Sequence, residues 1–170
     1  MLYNFCPKCA VKYEEQNDPE KLVCSGCGFV FYQNSKPTAC TIIVDDQGRV
    51  LLGKRKIEPG IGKWDIIGGF LNFGEDPEHA AIREAKEETG LDIKINTLLG
   101  IFMDTYNYNN TNYSTLNICY TAQRIAGVEQ ANDDVEELVW FESSKFPNAG
   151  DIAFKNGQKM LETWSRNKIL

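Results

Sequence analysis

"GGFLNFGEDPEHAAIREAKEETGL", running from Gly68 to Leu91, is the stretch whose reading decides the fold. It holds six carboxylates, at Glu75, Asp76, Glu78, Glu84, Glu87 and Glu88, with Arg83 and Lys86 among them. Its boundaries are helix signals. Asp76 suits an N-cap, Pro77 a first helical position and Gly90 a left-handed stop. A helix over Pro77–Thr89 sets Glu84, Glu87 and Glu88 at i, i+3 and i+4, on one face. Three carboxylates on one face repel one another unless positive charge sits among them. Arg83, four residues before Glu87, supplies some. A divalent cation such as Mg²⁺, which favours a few carboxylates together with water and phosphate oxygens, would supply more. A solvated charged helix is the plain alternative. The glycine turn just before the helix can bring backbone carbonyls to the same face and so favours the metal reading. His79 is the chain's single histidine and reads as an exposed helix residue.

Working outward, "TACTIIVDDQGRVLLGKRK" is β-branched and alternating, with "DDQG" between its halves. It predicts a hairpin of Thr38–Val44 and Val50–Arg55. "IEPGIGKW" reads as a glycine-rich loop and "DIIGGF" as a short strand. Further strands are predicted around Ile93–Asp104, Leu116–Gln123 and Glu137–Phe141. A last helix is predicted within Asp151–Asn167, with Ile152, Met160, Leu161 and Trp164 as apolar positions. Cys40 and Cys119 sit in apolar runs as small core residues. The pattern is α/β, a mixed sheet flanked by helices.

The N-terminal segment is built differently. "CPKC" and "CSGC" place Cys6, Cys9, Cys24 and Cys27 as two C-x-x-C turns with the spacing of a four-thiolate zinc site. Four thiolates leave no open coordination position, so such a zinc is structural. Gly28 suits the tight turn after the second pair, and Ala10 takes that place after the first. So short a segment cannot bury a full core, and metal would supply much of its folding energy. Lys8, Lys12 and Lys21 face Glu14, Glu15, Asp18 and Glu20, which is not a basic patch. "QNSKP" reads as a linker, giving a zinc ribbon over 1–34 and a second domain over 35–170.

Composition sets the outer limits. The 170 residues are 42% hydrophobic and 25% charged, ordinary for a globular protein, with no apolar run long enough to span a membrane. No secretory signal pattern opens the chain, so a cytoplasmic protein with reduced thiols is expected. The net charge of −6 argues against general nucleic-acid binding, which rests on Lys and Arg neutralising phosphates.

The quoted stretch resembles the box of the Nudix hydrolase family, G-x5-E-x7-R-E-U-x-E-E-x-G-U with U aliphatic. Gly69, Glu75, Arg83, Glu84, Glu87, Glu88 and Gly90 occupy every fixed position, and Ala85 stands where a larger aliphatic residue is usual. Looser similarity extends over Pro37–Phe146. The cysteine pairs followed by "GFVFYQNSKP" resemble the zinc-ribbon subgroup, which includes NADH pyrophosphatases. The resemblance implies a Nudix α/β/α sandwich with a mixed sheet, preceded by a small zinc ribbon. It also implies hydrolysis of the pyrophosphate bond of a nucleoside diphosphate linked to another group. In that reading Glu87 and Glu88 hold Mg²⁺ or Mn²⁺, with the Gly68 carbonyl as a further ligand. Glu84 is a ligand or the base acting on the attacking water. Arg83 orients a glutamate, and Glu75 supports it. The family also draws its base from a later loop; among Asp133, Asp134, Glu136 and Glu137, Glu136 is the chosen candidate.

Substrate signals are sparser. "DTYNYNNTNYSTL" offers Tyr106 and Tyr108 as stacking residues and asparagines to read a base edge, or else a plain hairpin turning at "NNTN". Trp64 is a further stacking candidate, or a core anchor. The S-Q-P-W-P-F-P-x-S motif of NADH pyrophosphatases is absent, and Tyr106 and Asn107 stand where ADP-ribose enzymes tend to have proline. Family prevalence makes ADP-ribose or a similar nucleotide sugar the expected substrate. NADH or dinucleoside polyphosphate hydrolysis and a non-catalytic nucleotide-sensing module are the alternatives. The resemblance is compatible with a homodimer.

Overall fold

The structure is a computed structural model. It describes residues 3–14, 18 and 20–167; Glu15 of the ribbon's acidic set lies outside them. The chain forms two compact units, Met1–Ser35 and Lys36–Leu170.

The first unit is two matched turns and one hairpin. In the first turn, Ala10 N–H donates to Cys6 O and Cys6 N–H to Val11 O. In the second, Gly28 N–H donates to Cys24 O and Cys24 N–H to Phe29 O. Each closes through a left-handed residue, Ala10 at φ 60° and Gly28 at φ 69°. Strands β1 (Lys21–Val23) and β2 (Val30–Tyr32) pair antiparallel. Cys6, Tyr13, Leu22 and Cys24 are buried together, with Tyr3, Phe29 and Phe31 packed against them.

The second unit holds β3 (Lys36–Val44), β4 (Val50–Arg55), β5 (Trp64–Asp65), β6 (Ile67–Phe70), α1 (Pro77–Thr89), β7 (Leu91–Tyr108), β8 (Thr111–Gly127), β9 (Val135–Phe141) and α2 (Lys155–Asn167). The sheet runs β5-β4-β3-β8-β7, with β6 also pairing β3 and β9 pairing β4. Alternation along β3 divides the core. Cys40 and Ile42 pack with Leu52, Met160, Leu161 and Trp164 on the α2 side. Ile43 packs with Leu51, Ile67, Ala85 and Leu91 on the α1 side. Each large aliphatic chain buried there contributes roughly 1.5–3 kcal/mol. This is the expected helix–sheet–helix sandwich.

Several boundaries differ from the sequence reading. β3 and β4 meet only at Val44↔Val50. Beyond that point β3 pairs antiparallel with β6 along Thr38–Thr41, while its other edge runs parallel to β8 from Lys36↔Thr115 to Val44↔Gln123. β7 and β8 are longer than expected, pairing regularly out to Tyr108↔Thr111 at one end and reaching Leu91↔Gly127 at the other through three register shifts that interrupt the period-two pattern between Asp92 and Gly100. Their turn is Asn109–Asn110, at φ 48° and 57°, a conformation asparagine tolerates. Asn107 and Asn112 bond each other across it at 2.7 Å, so these asparagines build the hairpin tip. Among the described residues no helix is long and apolar enough to cross a membrane.

Candidate active site

Helix α1 is capped as its sequence demands. Asp76 accepts from the N–H groups of Glu78 and His79, and Gly90, at φ 69°, donates to Lys86 O. Its inner face carries Ala80, Ala81 and Ala85, all buried, so the helix lies close against the sheet. That approach brings its acids to Gly68 and Gly69, which lie within β6, paired with Cys40 and Ala39 of β3, and do not form the turn expected from sequence.

Arg83 organises them. Its Nε and Nη2 grip both oxygens of Glu75 at 2.7 and 2.8 Å. Nη1 reaches Glu84 Oε1 at 2.7 Å and Glu87 Oε2 at 2.9 Å, and Nη2 also donates to Phe70 O at 3.2 Å. The fork therefore spends its five donors on three carboxylates and one carbonyl. The Arg83 bonds, with the Asn72 N–H, hold the Glu75 carboxyl at a pKa of about 2. Glu84 is pushed upward by burial, against the pull of Arg83.

Glu88 has a different anchor. It is 5% exposed and accepts the Gly68 N–H at 2.9 Å. Burial, reinforced by nearby Asp134, raises its pKa well above the carboxylate range. Asp65 is pushed up to about 6 by burial, opposed by Arg55. Arg55 pairs with Asp65 at 3.1 Å and Asp134 at 3.6 Å. Buried acids this close are costly as anions unless a cation compensates them. Hard oxygen donors of this type suit Mg²⁺ or Mn²⁺, and in this conformation their oxygens are not drawn together as a metal-sized set. In this conformation Arg83 holds Glu84 and Glu87 while the Gly68 amide holds Glu88.

A cavity of about 140 Å³ opens beside these acids, reached by Gly68, Gly69 and Asp134. Tyr106 stands edge-on to Phe70 at 5.6 Å and tilted to Phe154 at 5.8 Å. The Arg55 guanidinium lies 5.3 Å from the Phe154 ring centre. Asp104 accepts the Asn156 N–H at 2.8 Å, tying β7 to the start of α2. Thr38 donates to Asn117 at 2.6 Å, which itself donates to Thr115 at 3.1 Å, so this polar wall is already satisfied internally.

Of the residues named from sequence, the structure brings together Glu75, Arg83, Glu84, Glu87, Glu88 and Gly68, and puts Tyr106 in the adjoining cavity. Gly68 meets Glu88 through its N–H. Trp64 lies elsewhere, edge-on to Phe141 at 5.0 Å and packed against the core. Tyr108 is 47% exposed beside Tyr106. Glu136 is half exposed and pairs with Lys54 at 3.4 Å, whereas Asp134 of the same run faces the acids. Arg55, Phe154 and Asn156 were not singled out by sequence. They come from separate segments with no motif spacing between them.

The four N-terminal thiols form a second centre. Their Sγ atoms all lie within 4.8 Å of one another, with Cys6–Cys27 at 3.8 Å and Cys9–Cys24 at 3.5 Å. A tetrahedron with Zn–S bonds of about 2.3 Å has edges of about 3.8 Å, so the donor set fits zinc. All six cysteines are free thiols. Among the described residues no other set of three or more Cys, His, Asp or Glu brings its ligand atoms so close.

A family model for the NUDIX domain matches residues 34–161. An ADP-ribose pyrophosphatase from Methanocaldococcus jannaschii is 32% identical over 126 residues, covering 74% of this chain and 71% of that protein. The NAD-capped RNA hydrolase NudC of Pseudomonas aeruginosa is 22% identical; 84% of this chain aligns, spanning about half (49%) of NudC. A crystal structure of a NUDIX hydrolase from Nitrosomonas europaea superposes with a TM-score of 0.80 at 24% identity, over 98% of this chain and 93% of that one, which establishes a shared fold. With its box intact and its acids gathered where β6 meets α1, the chain belongs to the Nudix family.

Proposed function

We propose that this protein hydrolyses the pyrophosphate bond of a nucleoside diphosphate derivative, with ADP-ribose or a similar nucleotide sugar as substrate. One observation carries the reading: the Arg83-organised acids adjoin a cavity with aromatic walls. A pyrophosphate held at the acids would direct its attached nucleoside toward Phe70, Tyr106 and Phe154. Aromatic rings favour flat, polarisable groups such as bases. The similarity to an ADP-ribose pyrophosphatase supports the choice of substrate.

Glu87 and Glu88 would hold a divalent cation, with Glu84 beside them. When bound, that cation neutralises phosphate charge and makes the attacking water more acidic. The chain's own residues do the rest. Arg83 fixes the direction of Glu84 and Glu87, and Glu75 fixes Arg83. The Gly68 N–H orients Glu88. Asp134, rather than Glu136, is placed to take a proton from water at this site. Arg55, poised between Asp134 and Phe154, can meet a phosphate oxygen. Residues 1–34 form a structural zinc ribbon and 35–170 the Nudix domain.

The test is a substrate panel with Mg²⁺: ADP-ribose, NADH, NAD, diadenosine polyphosphates, nucleotide sugars, nucleoside triphosphates and NAD-capped RNA. Products are resolved by chromatography, with Glu87→Gln as control. Metal-dependent cleavage of ADP-ribose or a nucleotide sugar at the pyrophosphate, lost in the control, is expected. Cleavage of another member alone would overturn the substrate, and no cleavage by folded protein would overturn the reaction.

A further inference from the structure

The two cysteine turns are near copies. Each cysteine at the start of a turn donates its N–H five residues on and accepts from the residue four on, at Cys6 with Val11 and Ala10 and at Cys24 with Phe29 and Gly28. Seven residues past Cys6 stands Tyr13. Seven past Cys24 stands Phe31. Both pack into the small core that holds Cys6 and Cys24. The two aromatic positions are therefore equivalent, and they differ by one hydroxyl.

That hydroxyl is out of place for packing alone. Tyr13 is 7% exposed, and its oxygen is buried with no nitrogen or oxygen hydrogen-bond partner among the described residues; burial and then the neighbouring Cys6 thiol push its pKa up to about 12. A buried hydroxyl left without a partner is destabilising, and phenylalanine avoids that loss at the equivalent position. Tyr13 shares its small core with two of the four thiols, Cys6 and Cys24. Four thiolates around one Zn²⁺ leave a net negative centre, exposed at Cys9 and Cys27 and buried at Cys6 and Cys24, and an O–H donor on the buried side would stabilise it.

We propose that the Tyr13 hydroxyl is a positioning group for the zinc centre, donating an O–H···S hydrogen bond to the Cys6 thiolate. The proposal rests on the zinc reading of the four cysteines. It explains why one turn carries tyrosine where its twin carries phenylalanine. It also makes the two turns unequal: Cys6 is held by a side-chain O–H donor as well as by its own turn, whereas Phe31, at the equivalent position of the second turn, has no such donor to offer Cys24.

The test uses the full-length, zinc-loaded protein and its Tyr13→Phe variant. Zinc affinity is measured by competition with a chromogenic chelator. In parallel, cobalt is substituted for zinc and the sulfur-to-cobalt charge-transfer band is recorded. Tyr13→Phe should bind zinc about 10- to 100-fold more weakly, the range found for loss of hydrogen-bond partners to metal ligands. Its charge-transfer band should shift to lower energy, because a thiolate without its donor is more easily oxidised. A merely structural tyrosine would leave that band in place. Tyr13→Phe with parental zinc affinity and an unmoved band overturns the proposal while leaving the zinc reading intact. A parent protein that takes up neither metal overturns both. Phe31→Tyr is the second variant; a shift there but not at Tyr13→Phe would assign the bond to the wrong turn and also overturn the proposal.

Discussion

A Cβ added to Gly69 would lie 2.5 Å from Glu84 Oε1. The glycine thus keeps open the space in which the Glu84 carboxylate rests against Arg83. Gly69→Ala should push that carboxylate aside. The carboxylate is the free end of a flexible chain, so the fold should absorb the change within about 1 kcal/mol. Turnover should fall by about 100-fold, the usual consequence of misplacing a reacting group by an ångström. Gly68→Ala should behave oppositely. Its Cβ would strike the backbone of Ala39 and Cys40 at φ 151°, so the loss should be of stability, seen as a lowered Tm.

Glu88→Gln separates activity from stability in one residue. Glutamine can still accept the Gly68 N–H, and it removes a buried acid whose ionisation is opposed by burial and by Asp134. Turnover with Mg²⁺ should drop by orders of magnitude while Tm holds or rises. A variant with full turnover would count heavily against the assigned ligand.

Asp134 and Glu136 provide a direct contrast. Asp134→Asn should lower turnover by about 100-fold or more, as expected for a proton-accepting group. Glu136→Gln removes a surface pair with Lys54 and should change stability by less than about 1 kcal/mol and turnover little. Steady-state kinetics of the two variants against ADP-ribose would show equal effects if the loop's inward acid had been misassigned.

The boundary between what could and could not be read in the chain falls at this loop. Helix α1 was legible because its caps and its acids lie within one continuous stretch. The four acids of "DDVEE" carry no such order. The chain turns at Asp133, φ 50°, and only that turn sends Asp134 inward and leaves Glu136 beside Lys54. Trp64 suffered the same ambiguity, since a large aromatic next to a box can stack on a ligand or fill a core. Phe154, Arg55 and Asn156 meet only through the tertiary fold, and periodicity within each segment says nothing of such meetings.

Phe154→Ala should weaken substrate binding selectively. The ring stands against Tyr106 and under Arg55 in the cavity, away from the Arg83 cluster. KM for ADP-ribose should rise about tenfold with kcat nearly kept, since the lost contact acts on the bound nucleoside in ground and transition state alike. A fall in kcat alone would place Phe154 outside the nucleoside site.

Glu75 predicts an acid limit. Its folded pKa, held to about 2 by Arg83, lies below the unfolded value. The stabilisation is therefore complete above about pH 4.3 and lost as pH falls from there toward 2. Glu75→Gln should remove that part of the acid dependence. Urea midpoints at several pH values would show it, read by tryptophan fluorescence. Trp64, Trp140 and Trp164 all lie in the second unit, so the signal reports on the unit that holds Glu75.

The parallel pairing of β3 with β8 also bears on how the protein is born. Thr38 and Asn117, hydrogen-bonded across that ladder, are 79 residues apart in the chain. At about 5–20 residues per second, a ribosome takes roughly 4–16 seconds to deliver the partner after β3 has emerged. The first unit, complete within its own 35 residues, has no such wait. Until β8 arrives, the apolar "TACTIIV" run has one naked strand edge available to any neighbour. The nascent chain's exposure to aggregation, and its demand for chaperones, should peak in that interval and end when β8 docks.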